Sequence, residues 1–437
     1  MPIPKANPSP TKRMRIRTPC TFLVFLLALL LAAPAAADRV RTADPDNYRQ
    51  ILNRLQPGDT LQLAAGIYRD GLSLHSLQGT PDRPITITGP ENGGTALFLG
   101  REGRITISLI DVSHITLRHL SLDGEGKRGH GIVAEGRGRF THDVTLENLE
   151  ITRFDADQAF NAISTKAPAW NWVIRDNVIS HVGTGLYLGD SDGSAPFVAG
   201  FIEGNRIEHT TGYNMQIKHQ APRPDLAGLP TTPRETVIRN NVFDKSLGGS
   251  DGPMARPNLL LGHWPLEGPG KDDRYLVYGN LFFQNLTERL FQAEGNVIAY
   301  NNLFVNLFGE AVSFQAHNDQ PRRIWFVNNT ALGLGPALRL SGADERFEQI
   351  IDGNAIFAER PEESALPGEN LITSLPRAEE VLTNPFAAVP DALDLSPVGG
   401  SLDRAAAGIR LPPDLPATDQ DYRGKPRGQA MYGAVAR

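Results

Sequence analysis

Short alternations of apolar and polar residues organise the chain, and helical periodicity is confined to one segment near its start. From position 145 onward one unit recurs: an alternating strand, an asparagine, then a second apolar pair. Its copies are TLENLEI (145–151), VIRDNVI (173–179), FIEGNRI (201–207), VIRNNVF (237–243), VYGNLFF (277–283), IAYNNLF (298–304), FVNNTAL (326–332) and IIDGNAI (350–356). Asn148, Asn177, Asn205, Asn241, Asn280, Asn302, Asn329 and Asn354 hold equivalent places in these copies, 22 to 39 residues apart. Most of the intervals fit one coil of a parallel β-helix, three short strands whose inward side chains are buried on the coils above and below. Leucine-rich repeats would need a spaced Leu framework and a helix per unit, and neither is present. The recurrent Asn suits a tight bend: it tolerates the left-handed region, and its amide can bond along a ladder.

A second strand class precedes each asparagine unit: GIVAEG (131–136), NAISTKA (161–167), GLYLGD (185–190), NMQIKHQ (214–220), NLLLGHW (258–264), RLFQAEG (289–295), AVSFQAH (311–317) and ALRLSG (337–342). Strand side chains alternate in direction, so Met215 and Ile217 point inward while Gln216 and Lys218 point outward. Stacking the other strands on this register predicts an outward column of Glu135, Lys166, Gly189, Lys218, Gly262, Glu294, Gln315 and Ser341. Lys218 then lies between two glycines, which predicts a dip with a lysine at its floor. The next position places Asp190, His219 and His263 on successive coils, and the position two before Lys218 sets Tyr187 beside Gln216. The histidines have inward parity, so they reach a site only if the strands end or bulge at Lys218 and Gly262. The longest repeat intervals flank these strands. Their extra residues, 221–235, 244–257 and 265–274, are rich in Pro and Gly and are expected to wall a cleft.

The chain has 437 residues, with 43 Gly and 33 Pro, which favours turns over long helices. Lys5, Lys12, Arg13, Arg15 and Arg17 precede an apolar run from Phe22 to Ala33, then Pro34 and Ala35-Ala36-Ala37. That order is a secretory signal peptide, too short for a membrane span, with cleavage expected after Ala37. The one cysteine, Cys20, lies inside it, so the mature chain has no disulfide and no cysteine-bound zinc. Removing those five positive charges takes the net charge from −6 to −11. No basic footprint for nucleic acid is present, and a polyanionic partner needs a local positive patch. The expected layout is a signal peptide over 1–37, a coil stack over 38–370 and a C-terminal capping extension over 371–437. The expected product is a periplasmic or extracellular monomer.

Residues 47–56 (NYRQILNRLQ) read as a short amphipathic helix that covers the raw first end of the stack. PGDTLQLAAGIY (57–68) and GTPDRPITITG (79–89) follow. Here the chain resembles the secreted right-handed parallel β-helix proteins, and among them polysaccharide lyase family six, the alginate lyase and chondroitinase B group. DLSPVGGSLDRAAAG (394–408), DQDYRGKPRG (419–428) and YGAVA (432–436) resemble the tails of such proteins. The resemblance implies an all-β, right-handed parallel β-helix with an irregular C-terminal tail and a polysaccharide or oligosaccharide partner. It admits calcium as a cofactor, although no calcium motif is visible. The family-six catalytic pattern is not intact, and the signatures of β-helix pectin hydrolases and mannuronan epimerases are absent.

The leading expectation is a lyase that cleaves a uronate-containing glycan by β-elimination. The reaction needs a neutralised carboxylate, a base for the adjacent proton and an acid for the leaving oxygen. Lys218, crowded by His219 and His263, suits the base, and a histidine oriented by Asp190 suits the acid. Asp190, His219 and His263 also suit a hydrogen-bonded column without catalytic duty and, less well, a metal site. Arg223 or Arg256 suits the carboxylate, Tyr213 and Trp264 suit sugar stacking, and Lys166 and Glu294 suit cleft rims. Asp192-Gly193 and Asp272-Asp273 read as turns. A hydrolase or epimerase in the same cleft stays open, with Asp190 and Glu294 as its carboxylates. So does a non-catalytic glycan-binding or envelope protein.

Overall fold

The computed structural model describes residues 39–136, 138–364, 366–404, 414–427 and 430–436. The signal-peptide expectation at 1–37 lies outside the described residues. Each coil contributes one short strand to each of three parallel sheets. Sheet A holds the strands that precede the asparagines, from Val40–Ala43 to Gln349–Asp352. Sheet B holds those that follow them, from Gly66–Tyr68 to Leu371–Ser374. Sheet C holds the second strand class, from Leu72–His75 to Leu338–Leu340. The chain runs A, B, C and back to A, making a right-handed parallel β-helix. The stack continues through Ser374, just past the expected boundary at 370.

Inward residues fill the coil interior. Phe243, Phe282, Phe304 and Phe326 form one internal column with ring centroids 5.0, 4.7 and 5.7 Å apart. Aromatic contacts of this kind contribute roughly 0.5–1.5 kcal/mol each beyond their burial. At the first end the helix Tyr48–Leu52 buries Tyr48 and Leu52, and Tyr48 meets Tyr68 edge-on at 5.1 Å. The strand Val40–Ala43, unforeseen in the sequence, precedes this helix and forms the first rung of sheet A.

The asparagines make the ladder at the A-to-B corner. Asn177 Nδ2 donates to Asn205 Oδ1 at 2.8 Å, Asn205 to Asn241 at 2.9 Å, and Asn241 to Asn280 at 2.9 Å. The column continues through Asn302, Asn329 and Asn354 to Asn370. Two expectations are corrected. Asn148 is exposed and outside the ladder; Leu149 holds that place, its N–H donating to Asn177 Oδ1 at 2.9 Å. The left-handed residue is the one before each ladder asparagine from Asn177 to Asn354, such as Asp176, Gly204, Asn240 and Gly279. The bend needs that conformation, and the buried amide needs its bonds, so two adjacent positions divide the work.

The C-terminal segment lies along the outside of the coils. Leu382, Leu395, Leu402, Met431 and Val435 pack on Phe283, Val305, Leu332 and Phe357 of sheet B. Leu415 joins Tyr278 and Tyr300 on sheet A.

Candidate functional site

Sheet C carries the groove. Its strand pairing follows the expected register: Tyr187 faces Gln216, and Ile217 lies between Leu188 and Leu261. The strands stop at Ile217 and Leu261, so the chain turns at Lys218 and Gly262. A groove of about 800 Å³ runs over this face and along its B-to-C edge. Lys166, Tyr187, Tyr213, Gln216, Lys218 and Arg256 line it, as do Asn161, Gln292, Gln315 and His317.

Its polar groups are largely uncommitted. Among the described residues, the ammoniums of Lys166 and Lys218 and the hydroxyls of Tyr187 and Tyr213 have no protein hydrogen-bond partner. The same holds for the amides of Gln216 and Gln292. Lys166 Nζ lies 3.5 Å from the Tyr187 ring centroid and Lys218 Nζ lies 6.0 Å from it. Arg256 sits over the Tyr213 ring at 5.8 Å and donates to the carbonyls of Pro253 and Ala255. Lys166, Lys218 and Arg256 make no ion pair with a described carboxylate. Lys166 is exposed at the groove, yet desolvation pushes it down to about 8, with Asp190 opposing and Lys218 adding. Burial likewise pushes Lys218 down, against Glu294 and Asp190 and with Arg256. Burial pushes the Tyr187 and Tyr213 hydroxyls up, so both stay protonated donors at neutral pH.

Six expected site residues stand elsewhere. Asp190 accepts Ala195 N–H at 2.9 Å and Ser194 Oγ–H at 3.1 Å, which closes its own loop and orients no histidine. His219 and His263 lie 5.7 Å apart, past the strand ends, where the chain leaves for sheet A. His263 Nδ1 is 2.8 Å from Trp264 O. Burial, then Lys218 and His263, push His219 down. Neither ring lines the groove. Trp264 is buried and stacked on Tyr275 at 4.3 Å, so it offers no face to a sugar. Arg223 is a buried partner of Asp273, itself no simple turn residue. Glu294 is fully buried and accepts the N–H groups of His317, Asn318 and Asp319, so it is no rim.

The expected dip beside Lys218 is also closed. A Cβ on Gly262 would stand 2.3 Å from His219 N, and one on Gly189 would stand 3.2 Å from Lys218 Cβ. These glycines permit close coil packing, and the opening lies over the Tyr187–Gln216 row instead. Of the three long loops, only 244–257 walls the groove. The other two are joined by the Arg223–Asp273 pair at the C-to-A turn. Gln292 is the clearest groove residue that sequence reasoning passed over. It follows Tyr187, Gln216 and Leu260 in one outward row, so the same register pointed to it.

Calcium does not fit this groove. It takes six to eight oxygen ligands, commonly several carboxylates, whereas of the two carboxylates lining the groove Glu288 is paired with Arg289 and Asp157 closes its own turn through Ala159 N–H, and the other charged lining groups are cationic. Among the described residues the one group of three His, Asp or Glu placed to share an ion lies on sheet A, away from the groove.

No family model matches the chain, and no curated protein sequence does. Solved structures similar to it include an alginate lyase from Paenibacillus sp. str. FPU-7, 17% identical over 64% of this chain and 99% of that one, TM-score 0.43. Another is the PL6 family alginate lyase AlyGC, 13% identical over 76% of this chain and 51% of that one, TM-score 0.42. A third is pectate lyase Pel9A, 11% identical over 92% and 98%, TM-score 0.47. By its own strand pairing, and as its opening and closing motifs imply, the chain is a right-handed parallel β-helix repeat protein.

Proposed function

We propose that this is an exported, monomeric carbohydrate-active protein whose groove binds an acidic polysaccharide and cleaves it next to a uronate by β-elimination. One observation carries the reading: three cations without ion pairs and a row of unbonded amides and hydroxyls converge on one groove of an otherwise acidic chain. Lys166, Arg256 and the amides of Gln216 and Gln292 neutralise and hold the uronate carboxylate. Lys218, with its depressed basicity, takes the proton beside the carboxylate. The electron pair left behind forms the new carbon–carbon double bond as the glycosidic oxygen departs. That oxygen takes a proton from Tyr187 or Tyr213. The hydrolase reading is weakened, because Asp190 and Glu294 are engaged by their own loops.

The test incubates the protein and its Lys218→Ala variant with alginate, pectate and chondroitin, with and without calcium, and follows the ultraviolet absorbance of an unsaturated uronate end. A calcium-independent signal that Lys218→Ala abolishes is expected. Absence of signal on every uronate would sink the reaction. Retained binding of those glycans without product would make the groove a binding site only.

A further inference from the structure

Far along each coil from the groove, sheet A carries a cluster of nitrogen and oxygen donors that the proposed reaction does not use. His114 and Asp143 fall on successive coils, at the same left-handed position, with φ of 52° each. His142 precedes Asp143. His142 Nδ1 lies 2.6 Å from Asp143 Oδ2, and His114 Nε2 lies 3.9 Å from that same oxygen. The two imidazoles meet at 88° with centroids 5.5 Å apart. One donor atom from each residue lies within 4.8 Å of the others.

We propose that His114, His142 and Asp143 form a binding site for a divalent transition-metal ion of the zinc class. A tetrahedral ion with ligands at about 2.0–2.1 Å keeps those ligands roughly 3.3 Å apart. The observed 2.6 and 3.9 Å bracket that spacing and the two histidine donors lie within 4.8 Å, so side-chain shifts of roughly 1–1.5 Å complete three-coordination. The ion takes the place of the proton shared between His142 and Asp143. Two imidazoles and one carboxylate select zinc, copper or nickel over calcium and magnesium.

The surroundings hold the donors as a second layer should. Asn171, one coil on at the same left-handed position, donates Nδ2–H to Asp143 Oδ1 at 3.2 Å, which leaves Oδ2 toward the histidines. The His142 ring stacks on buried Trp170 at 4.8 Å and 7°, and on Phe140 from 6.1 Å. All three donor side chains are partly open to solvent, which gives an ion an entry path.

The test is calorimetric titration of the untagged protein with Zn²⁺, alongside His114→Gln, His142→Ala and Asp143→Asn. One Zn²⁺ per chain is expected, weakened at least tenfold by each substitution, with no heat from Ca²⁺. Loaded with Cu²⁺, the protein should show an electron paramagnetic resonance spectrum with two-nitrogen coupling, reduced to one nitrogen in His114→Gln. His142 is packed and its loss risks the local fold; His114 is not stacked on Trp170, so His114→Gln decides the question if His142→Ala unfolds. Absence of saturable Zn²⁺ binding, or binding unchanged in His114→Gln, would overturn the proposal.

Discussion

Two columns of polar side chains climb this stack, and their hydrogen bonding is opposite. At the A-to-B corner each asparagine amide is committed. Asn280 Nδ2 donates to Ile238 O, Tyr278 O and Asn302 Oδ1, while its own Oδ1 accepts from Asn241. On sheet C the amides of Gln216 and Gln292 and the ammonium of Lys218 bond to no described protein group. The difference is one of access to the groove. A ladder amide cannot reach water and is costly unless paired, so pairing with its own copy on the next coil is the repeat's solution. The groove glutamines are also largely buried, Gln216 3% and Gln292 8% exposed, but their side chains line the open groove, where water or a ligand reaches the amides. In this solenoid the saturated column belongs to the scaffold, and the unsaturated one lines the candidate site.

That contrast can be broken from either side. Lys218→Ala should lower turnover on a cleaved uronate by about 10³-fold, about 4 kcal/mol of barrier, and leave the urea midpoint unchanged. Asn280→Asp should do the reverse. It removes a donor and sets a carboxylate against Asn302 Oδ1 in a buried column, at a stability cost of about 3 kcal/mol read from urea unfolding.

Lys245 stands between these cases, buried with a single bond to Arg256 O at 2.8 Å, which ties the groove wall to the coil. Burial pushes it down to about 7. Between that value and the ordinary lysine range the unfolded chain binds the extra proton, so stability rises with pH from about 7 toward 10. The full shift corresponds to a ceiling of about 5 kcal/mol, and a rise of about 2 kcal/mol is expected because local opening hydrates the charged form. Lys245→Met should flatten that rise in urea midpoints across pH. Arg256 O keeps Asn285 Nδ2 as a donor at 2.9 Å, so the wall loop retains an anchor.

Smaller effects should sharpen the groove's roles. Tyr187→Phe should cost about tenfold in kcat if its hydroxyl protonates the leaving oxygen, and nothing if Tyr213 does. A base works when neutral and a carboxylate clamp works when charged. Activity should therefore fall as pH passes about 8, where Lys166 loses its charge. Lys166→Arg should move that alkaline fall upward in the pH–rate profile.

The coil stack and the sheet C register were legible because both rest on one-dimensional rules. Inward residues must be apolar at every second position, and copies must repeat at coil length, so Met215 and Ile217 place Lys218 before any coordinate is known. The error at Asn148 has the same origin: the repeat gives the corner, but a one-residue offset between Asn148 and Leu149 is settled by which side chain is buried. The site was half legible. Lys166, Tyr187, Gln216 and Lys218 lie on strands or at their ends, where register carries over. His219, His263 and Trp264 lie past the strand ends, where it does not. Asp190 and Glu294 are spoken for by their own loops and Arg223 by Asp273.

Sequence alone determined the solenoid, its corner ladder and the outward row, because those follow from local alternation summed over identical neighbours. Only the tertiary structure decided where the groove opens, which arginine faces it and that two histidines and an aspartate meet on another sheet. Those outcomes depend on how loops of unlike length close between coils, and no periodicity in the chain encodes that.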